Sequence, residues 1–233
     1  MIYENWEELD GIEKIVREDP VTFIHGDCMD FLRKCKEEMM FKHFHVGIVD
    51  VPYGINVGNM NLGSDKSSKP KNFEMGEWDA EVPTKEYWDL LEYCCRNIVA
   101  WGGNYITKEI NWSGRCFVYW SKKQGYAVMA HGELALTTFD MNAVEFEHSR
   151  GHLQNQDEER RHPTQKPVRL YDFLHLKFCE KGQRILDTHG GSHSQAIAAA
   201  RNNMKLTIIE KNKSYHDSGL ESYKKSLVKK TLF

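Results

Sequence analysis

Apolar positions along this chain recur in two rhythms. Short runs in which β-branched and aromatic residues cluster read as strands, and longer stretches with apolar positions at helical spacing read as amphipathic helices. Strand-like runs occupy residues 21–25, 46–49, 98–101, 116–120, 133–139, 184–187 and 206–209. A helical pattern spans 28–40, with Phe31, Leu32, Cys35 and Met39 on one face. Another spans 85–97, with Tyr87, Leu90, Leu91, Cys94 and Cys95 as its buried face. Three more follow: 168–179, stopped by Gly182; the alanine-rich 194–202; and 214–229, whose Lys224, Lys225, Lys229 and Lys230 read as a solvated face. Two polar stretches, 55–84 and 140–161, read as inserted loops. Strands alternating with helices predict an α/β fold with a mostly parallel sheet, and the runs at 116–120 and 133–139 predict one reversed pair at its edge.

Composition narrows this picture. The chain has 233 residues, 40% hydrophobic and 28% charged, which suits one globular domain over residues 1–233 with a real core. A net charge of −3 excludes a globally basic nucleic-acid coat and leaves room for a basic groove. No apolar run approaches the ~20 residues of a membrane span, and the acidic opening MIYENWEELD is unlike a signal peptide, so a cytoplasmic protein is expected. The six cysteines form no C-x-x-C pair, so reduced thiols are expected and no metal site is indicated.

Candidate chemistry gathers at the carboxyl ends of the predicted strands, where open α/β sheets bind ligands. Four ends carry suggestive residues: Gly26-Asp27, Asp50-Val51-Pro52-Tyr53, Asp187-Thr188-His189-Gly190-Gly191, and Glu210. Alone, Gly26-Asp27 fits a turn and helix cap, Gly190-Gly191 a tight turn, and Glu210 a surface carboxylate. Jointly, strand, glycine turn, helix, strand and acid read as half of a nucleotide-binding unit. Glu210 stands 19 residues beyond Gly191, where an acid accepts bonds from ribose hydroxyls. The G-x-G-x-x-G dinucleotide fingerprint is absent here.

Two motifs carry a resemblance. Asp50-Val51-Pro52-Tyr53 resembles D-P-P-Y, and His162-Pro163-Thr164-Gln165-Lys166-Pro167 resembles H-P-T-x-K-P. These are signatures of the amino-group DNA methyltransferases that use S-adenosyl-L-methionine. The motif containing Asp50 precedes the glycine turn, an order similar to the circularly permuted β class with its Rossmann-like fold. The resemblance implies that Asp187, His189, Gly190 and Gly191 lie at the cofactor. It implies that Glu210 holds the ribose, that Asp27 accepts from the adenine amino group, and that Thr164 and Lys166 close the carboxylate end. Asp50 faces both the cofactor and the target amino group, with Val51, Pro52 and Tyr53 completing the catalytic turn.

The implied activity is methylation of a base amino group in duplex DNA, with the base flipped out. An acid first and tyrosine fourth resemble the adenine-N6 variants, with cytosine-N4 and RNA methylation as alternatives. Val51 replaces the usual proline, and Gly191-Ser192-His193 replaces G-S-G. His193 either crowds the cofactor or points outward from a first helical turn. These departures leave open a catalytically degenerate subunit. The insert 140–161 is short, so DNA contacts are expected from it, from Lys66, Lys69 and Lys71 in the 55–84 loop, or from a second copy or a specificity subunit.

Overall fold

A computed structural model describes residues 10–55, 79, 81–123, 130–149 and 164–231. In chain order the elements are β1 (Ile12–Glu18), β2 (Val21–Gly26), α1 (Cys28–Glu37), β3 (Phe44–Val49), α2 (Lys85–Cys94) and β4 (Cys95–Trp101). A short helix α3 (Gly103–Ile106) follows, then β5 (Phe117–Ser121), β6 (Gly132–Thr137) and β7 (Val144–Glu147). The chain continues through α4 (Val168–Phe178), β8 (Arg184–Asp187), α5 (Ser194–Asn202), β9 (Lys205–Glu210) and α6 (Lys213–Thr231).

The strands form one sheet in the order β1-β2-β9-β8-β3-β4-β6-β5-β7. Its five central strands, β2, β9, β8, β3 and β4, run parallel. Strand β6 is reversed against both β4 and β5, as the sequence predicts for that pair, with Val118 opposite Ala135. Two edge strands go beyond the sequence reading: β1 pairs antiparallel with β2, and β7 runs parallel to β5.

Side chains alternate across the sheet and build a core on each face. On one face Val46, Ile48, Ile185 and Ile208 pack with α4, α5 and α6 through Leu174, Ala198 and Tyr223. On the other, Val49, Leu186 and Ile209 pack with α1 and α2 through Phe31, Leu32 and Leu91. Neighbouring strands β8 and β3 therefore lead to helices on opposite faces. Their carboxyl ends open a crevice at the centre of the sheet.

Three sequence expectations are corrected. The first helix ends at Glu37, because Met39 takes a left-handed φ of 53° and turns out to 81% exposure while Met40 takes the buried place. The helix expected over 85–97 stops at Cys94, because pairing with β3, Cys95 to Phe44 and Asn97 to Val46, claims the next residues for a strand. Within 140–161, residues 144–147 are strand. Val144 and Phe146 pack on the core while Glu145 and Glu147 face out, a short alternation hidden in a polar stretch. All six cysteines are free thiols. Among the described residues no helix is long and apolar enough to cross a membrane.

Candidate active site

The crevice has two halves. The first is built by β8, β9 and β2. Asp187 ends β8 and is 2% exposed. One carboxylate oxygen accepts from the His189 amide at 3.0 Å, and the Gln195 amide, oriented so that both its atoms are paired, donates to the other at 2.8 Å. Burial, aided by the Asp50 and Glu210 charges, outweighs the His189 amide and the more distant Lys166 and raises its carboxyl to about 8. The glycine turn follows. Gly191 has a φ of 50°, and its N–H donates to Glu210 at 2.7 Å. The second Glu210 oxygen accepts from Asn212 N at 2.7 Å, and burial lifts Glu210 to about 7.

Gly190 has a packing reason of its own. A Cβ there would stand 2.7 Å from the His193 ring and 2.9 Å from Ile208. His193 thus takes neither place that the sequence left open. It is fully buried in a left-handed conformation, with Phe23 and His216 rings at 5.2 and 5.6 Å, and it is pressed against Gly219. Burial holds it neutral, at about 3. The side chain fills the core behind the glycine turn and leaves the crevice clear.

His189 is also neutral, pushed by burial to about 4. Its Nδ1 lies 2.9 Å from Thr188 Oγ1, which in turn meets the Tyr87 hydroxyl at 2.6 Å. Asp27 ends β2 and caps α1, accepting from Met29 N at 2.8 Å. Its other oxygen meets Lys211 Nζ at 2.8 Å. Burial acts to raise Asp27, but Lys211 and the Met29 amide outweigh it and hold the carboxyl low.

The second half lies at the end of β3. Val51 is 2% exposed and joins the core against α1 and α2. The turn beyond it is clamped by buried Asp79, whose carboxylate accepts from Tyr53 N at 2.5 Å and Gly54 N at 3.2 Å. Pro52 is half-buried in this turn. Tyr53 folds back so that its hydroxyl donates to Asp50 Oδ1 at 2.8 Å. Its ring stacks on that of Tyr105 at 5.2 Å and 15°, and Gly102 is required beneath it, since a Cβ there would stand 2.3 Å from the ring.

Lys166 enters this half from the segment before α4. Its ammonium lies 2.5 Å from Asp50 Oδ1, 3.1 Å from Glu133 Oε2 and 3.1 Å from the Tyr53 hydroxyl. Glu133, on β6, also meets Lys122 Nζ at 2.5 Å. Both lysine side chains are buried, at 2% and 5% exposure. Burial resists charge on Lys166, but its two carboxylates raise its pKa and keep it protonated. Burial also acts to raise Glu133, which the two lysines pull down to about 2. Burial, aided by Glu133, outweighs Lys166 at Asp50 and holds that carboxyl above its ordinary value.

The resemblance implies that Lys166 and Thr164 close the carboxylate end of the cofactor. In the structure the Lys166 ammonium lies on Asp50, held there by the Asp50 and Glu133 carboxylates. Thr164 is half-buried, and His162 and Pro163 lie outside the described residues, as do Lys66, Lys69 and Lys71. Asp79, Glu133, Lys122 and Tyr105 carry no motif and escaped the sequence reading. The local signal was a charged pair at the loop end of an apolar hairpin, Lys122 and Glu133. Among the described residues no group of three or more histidines, cysteines and acids could hold a metal.

A Rossmann-like α/β fold with acids at successive strand ends is the arrangement in which open sheets bind nucleotides. The chain belongs to the DNA methylase family of N6 and N4 amino methyltransferases, whose family model matches residues 60–221. That match takes in the hexapeptide at 162–167 and the glycine turn, and begins after Asp50. Among solved structures the fold is similar to M1.HpyAVI in complex with SAM, at 16% identity and a TM-score of 0.55 over 87% of this chain and 99% of that one. It is also similar to the cytosine-N4-specific PvuII DNA methyltransferase, at 11% identity and a TM-score of 0.57 over 88% and 90%. A comparison with curated protein sequences gives no match.

Proposed function

We propose that this chain transfers the methyl group of S-adenosyl-L-methionine to the N6 amino group of adenine in DNA. One observation carries the reading: adjacent strands β3 and β8 bring Asp50 to the same crevice as Asp187 and Glu210. The acids of the first half fit a cationic cofactor. Burial raises Asp187 and Glu210, and neither makes an ion pair among the described residues, so a positively charged ligand stabilises their ionised forms. Glu210 accepts from the backbone N–H groups of Gly191, Asn212 and Lys211, which leaves its carboxylate a lone pair for a ribose hydroxyl. Gly190 and Gly191 let the ligand approach the backbone. His189, Thr164 and Asp27 border the same half. When bound, the cofactor supplies an electrophilic methyl on a positively charged sulfur.

The chain's own residues then do two things. Asp50 accepts one N–H of the target amino group, and the Val51 carbonyl accepts the other. Together they localise the nitrogen lone pair and stabilise the positive charge that grows on it. The proton released from the methylated nitrogen passes to the Asp50 carboxylate. Pro52 holds Val51 extended, and the Tyr53 ring offers a stacking face for the flipped base once Tyr105 moves aside. Residues 1–233 act as one methyltransferase domain, with 55–84 and 140–161 as DNA-facing insertions.

Adenine is favoured by the acid-first, tyrosine-fourth motif. The PvuII enzyme, which by its name acts on cytosine N4, supplies the competing reading. The test is incubation with the cofactor and unmodified duplex DNA, then mass spectrometry of the released nucleosides. N6-methyladenine is expected, and N4-methylcytosine would transfer the assignment. Cofactor binding without any methylated nucleoside would make the chain a non-catalytic subunit.

A further inference from the structure

The paired charges around Lys166 go beyond the two motifs. Two buried ammoniums, Lys122 and Lys166, face two carboxylates, Asp50 and Glu133, on different strands. Oδ1 of Asp50 already accepts from both Lys166 and the Tyr53 hydroxyl. In this arrangement the lysine ammonium holds Oδ1 of the carboxylate to which the reading above assigns the target amino group. An ammonium held there also cancels the negative charge that the methylated nitrogen needs. The lysine must therefore yield, and it cannot do so into an apolar wall, because a buried ammonium without a partner is strongly disfavoured.

Resting on that reading of Asp50, we infer that Glu133 is a positioning residue for methyl transfer: it offers the Lys166 ammonium a second carboxylate, so that Asp50 is released to the incoming amino group. The geometry already holds both ends of this exchange. The ammonium has three donors and spans Asp50, Glu133 and Tyr53 at once. Loss of the Asp50 contact leaves two bonds in place. Lys122 anchors the far oxygen of Glu133, so the acceptor does not move when its load changes. Glu133 stays ionised at any assay pH, held near 2 by the two lysines. Without it, the Lys166 ammonium keeps Asp50 as its carboxylate partner and has no second one to move to among the described residues.

The test uses the full chain, S-adenosyl-L-methionine and in-vitro-amplified duplex DNA, comparing wild type with Glu133→Gln. The expected result is kcat lowered about tenfold or more, with the KM for DNA and the cofactor Kd, by calorimetry, changed by less than about threefold. Around Lys166 stand Asp50 and Tyr53 beyond β3, Glu133 on β6, Lys122 beyond β5, Tyr171 on α4 and Asp187 on β8. In the glutamine variant the ammonium keeps one carboxylate fewer, so it loses its proton at lower pH. The deficit should shrink as pH rises from about 7 to about 9.5, and Glu133→Asp should recover part of the rate.

A glutamine variant at the wild-type rate overturns the proposal. So does a deficit constant across pH that Glu133→Asp fails to relieve, since that is a structural defect. If the glutamine variant does not fold, Glu133→Gln with Lys122→Met removes the second buried ammonium along with the carboxylate. The same kcat loss is expected there, and a wild-type rate refutes the inference. Failure of the underlying reading looks different: Asp50→Asn then methylates at the wild-type rate, whatever happens at Glu133.

Discussion

The two halves of the crevice handle buried charge in opposite ways. At the β3 end, Asp50 and Glu133 are matched by Lys166 and Lys122, and the cluster closes on itself. At the β8–β9 end, Asp187 and Glu210 make no ion pair among the described residues; amide N–H groups hold them, Lys166 acts on Asp187 only from a distance, and burial raises both. A buried carboxylate without a cation is costly. A fold that keeps two of them in an open crevice is poised for a positively charged ligand. A fold that neutralises the other two is poised for a neutral one. On the proposed reading, the first half is where the cationic cofactor binds and the second is where an uncharged base enters.

The largest effect that would break this contrast is at Asp50. Asp50→Ala should lower single-turnover methylation by roughly 10²–10³ or more, while calorimetry shows the cofactor still bound. Loss of binding along with activity would merge the two halves into one site. Next come Asp187→Asn and Glu210→Gln, each expected to weaken cofactor affinity by about 1–3 kcal/mol in calorimetric titrations. Affinity unchanged in both would remove them from the cofactor site.

A pH series sharpens the same contrast without mutation. Asp187 and Glu210 have folded-state values, about 8 and about 7, above their ordinary 3.8 and 4.5. Their contribution to stability is therefore full below about pH 4 and is lost as pH rises through those folded values. A cationic ligand favours the ionised carboxylates, so its affinity should rise over the same range. The thermal shift given by saturating S-adenosyl-L-methionine should grow from about pH 5 to about pH 8. A flat shift would mean that neither acid meets the ligand's charge.

Smaller effects are expected at the margins. Asp27→Ala removes the cap of α1, worth about 1 kcal/mol in denaturant unfolding. The exposed Lys211 pair adds little to that. Val51→Pro should change turnover by less than tenfold, about 1.4 kcal/mol, because the role assigned to Val51 is its carbonyl and Pro52 already biases it to extended backbone. Its buried side chain sets the direction of any loss, toward lower stability. An inert wild type revived by Val51→Pro would point to a disabled enzyme.

Much of this architecture was legible from the chain alone. Periodic apolar runs located seven of the strands and five helices, because those patterns answer to local geometry and to which face is buried. The acids at strand ends and the two motifs were legible through their joint order along the chain, since each turn taken alone had an ordinary reading. Element boundaries were less so. Residues 95–97 carry a helical pattern, yet pairing with β3 made them strand. The ladders to β2 and β5 that make strands of 12–18 and 144–147 are likewise invisible in their own composition.

Two features in particular belonged to the tertiary structure. His193 looked like an intrusion into a glycine turn, but the space between Phe23, His216 and Gly219 draws it into the core. Glu133 began one expected strand and Lys122 lay just past another, with no motif to mark either. They became half of a buried charge cluster because Lys166, 116 residues from Asp50 in sequence, is brought between the two carboxylates by the order of strands β3, β4 and β6. By itself the sequence determined which chemical groups were available and at which strand ends they would stand, since hydrophobic periodicity and turn chemistry act over a few residues. Only the tertiary structure decided which charges would neutralise one another and which would be left for a ligand. That outcome depends on distances between segments far apart in the chain and on burial, which makes each unmatched charge expensive.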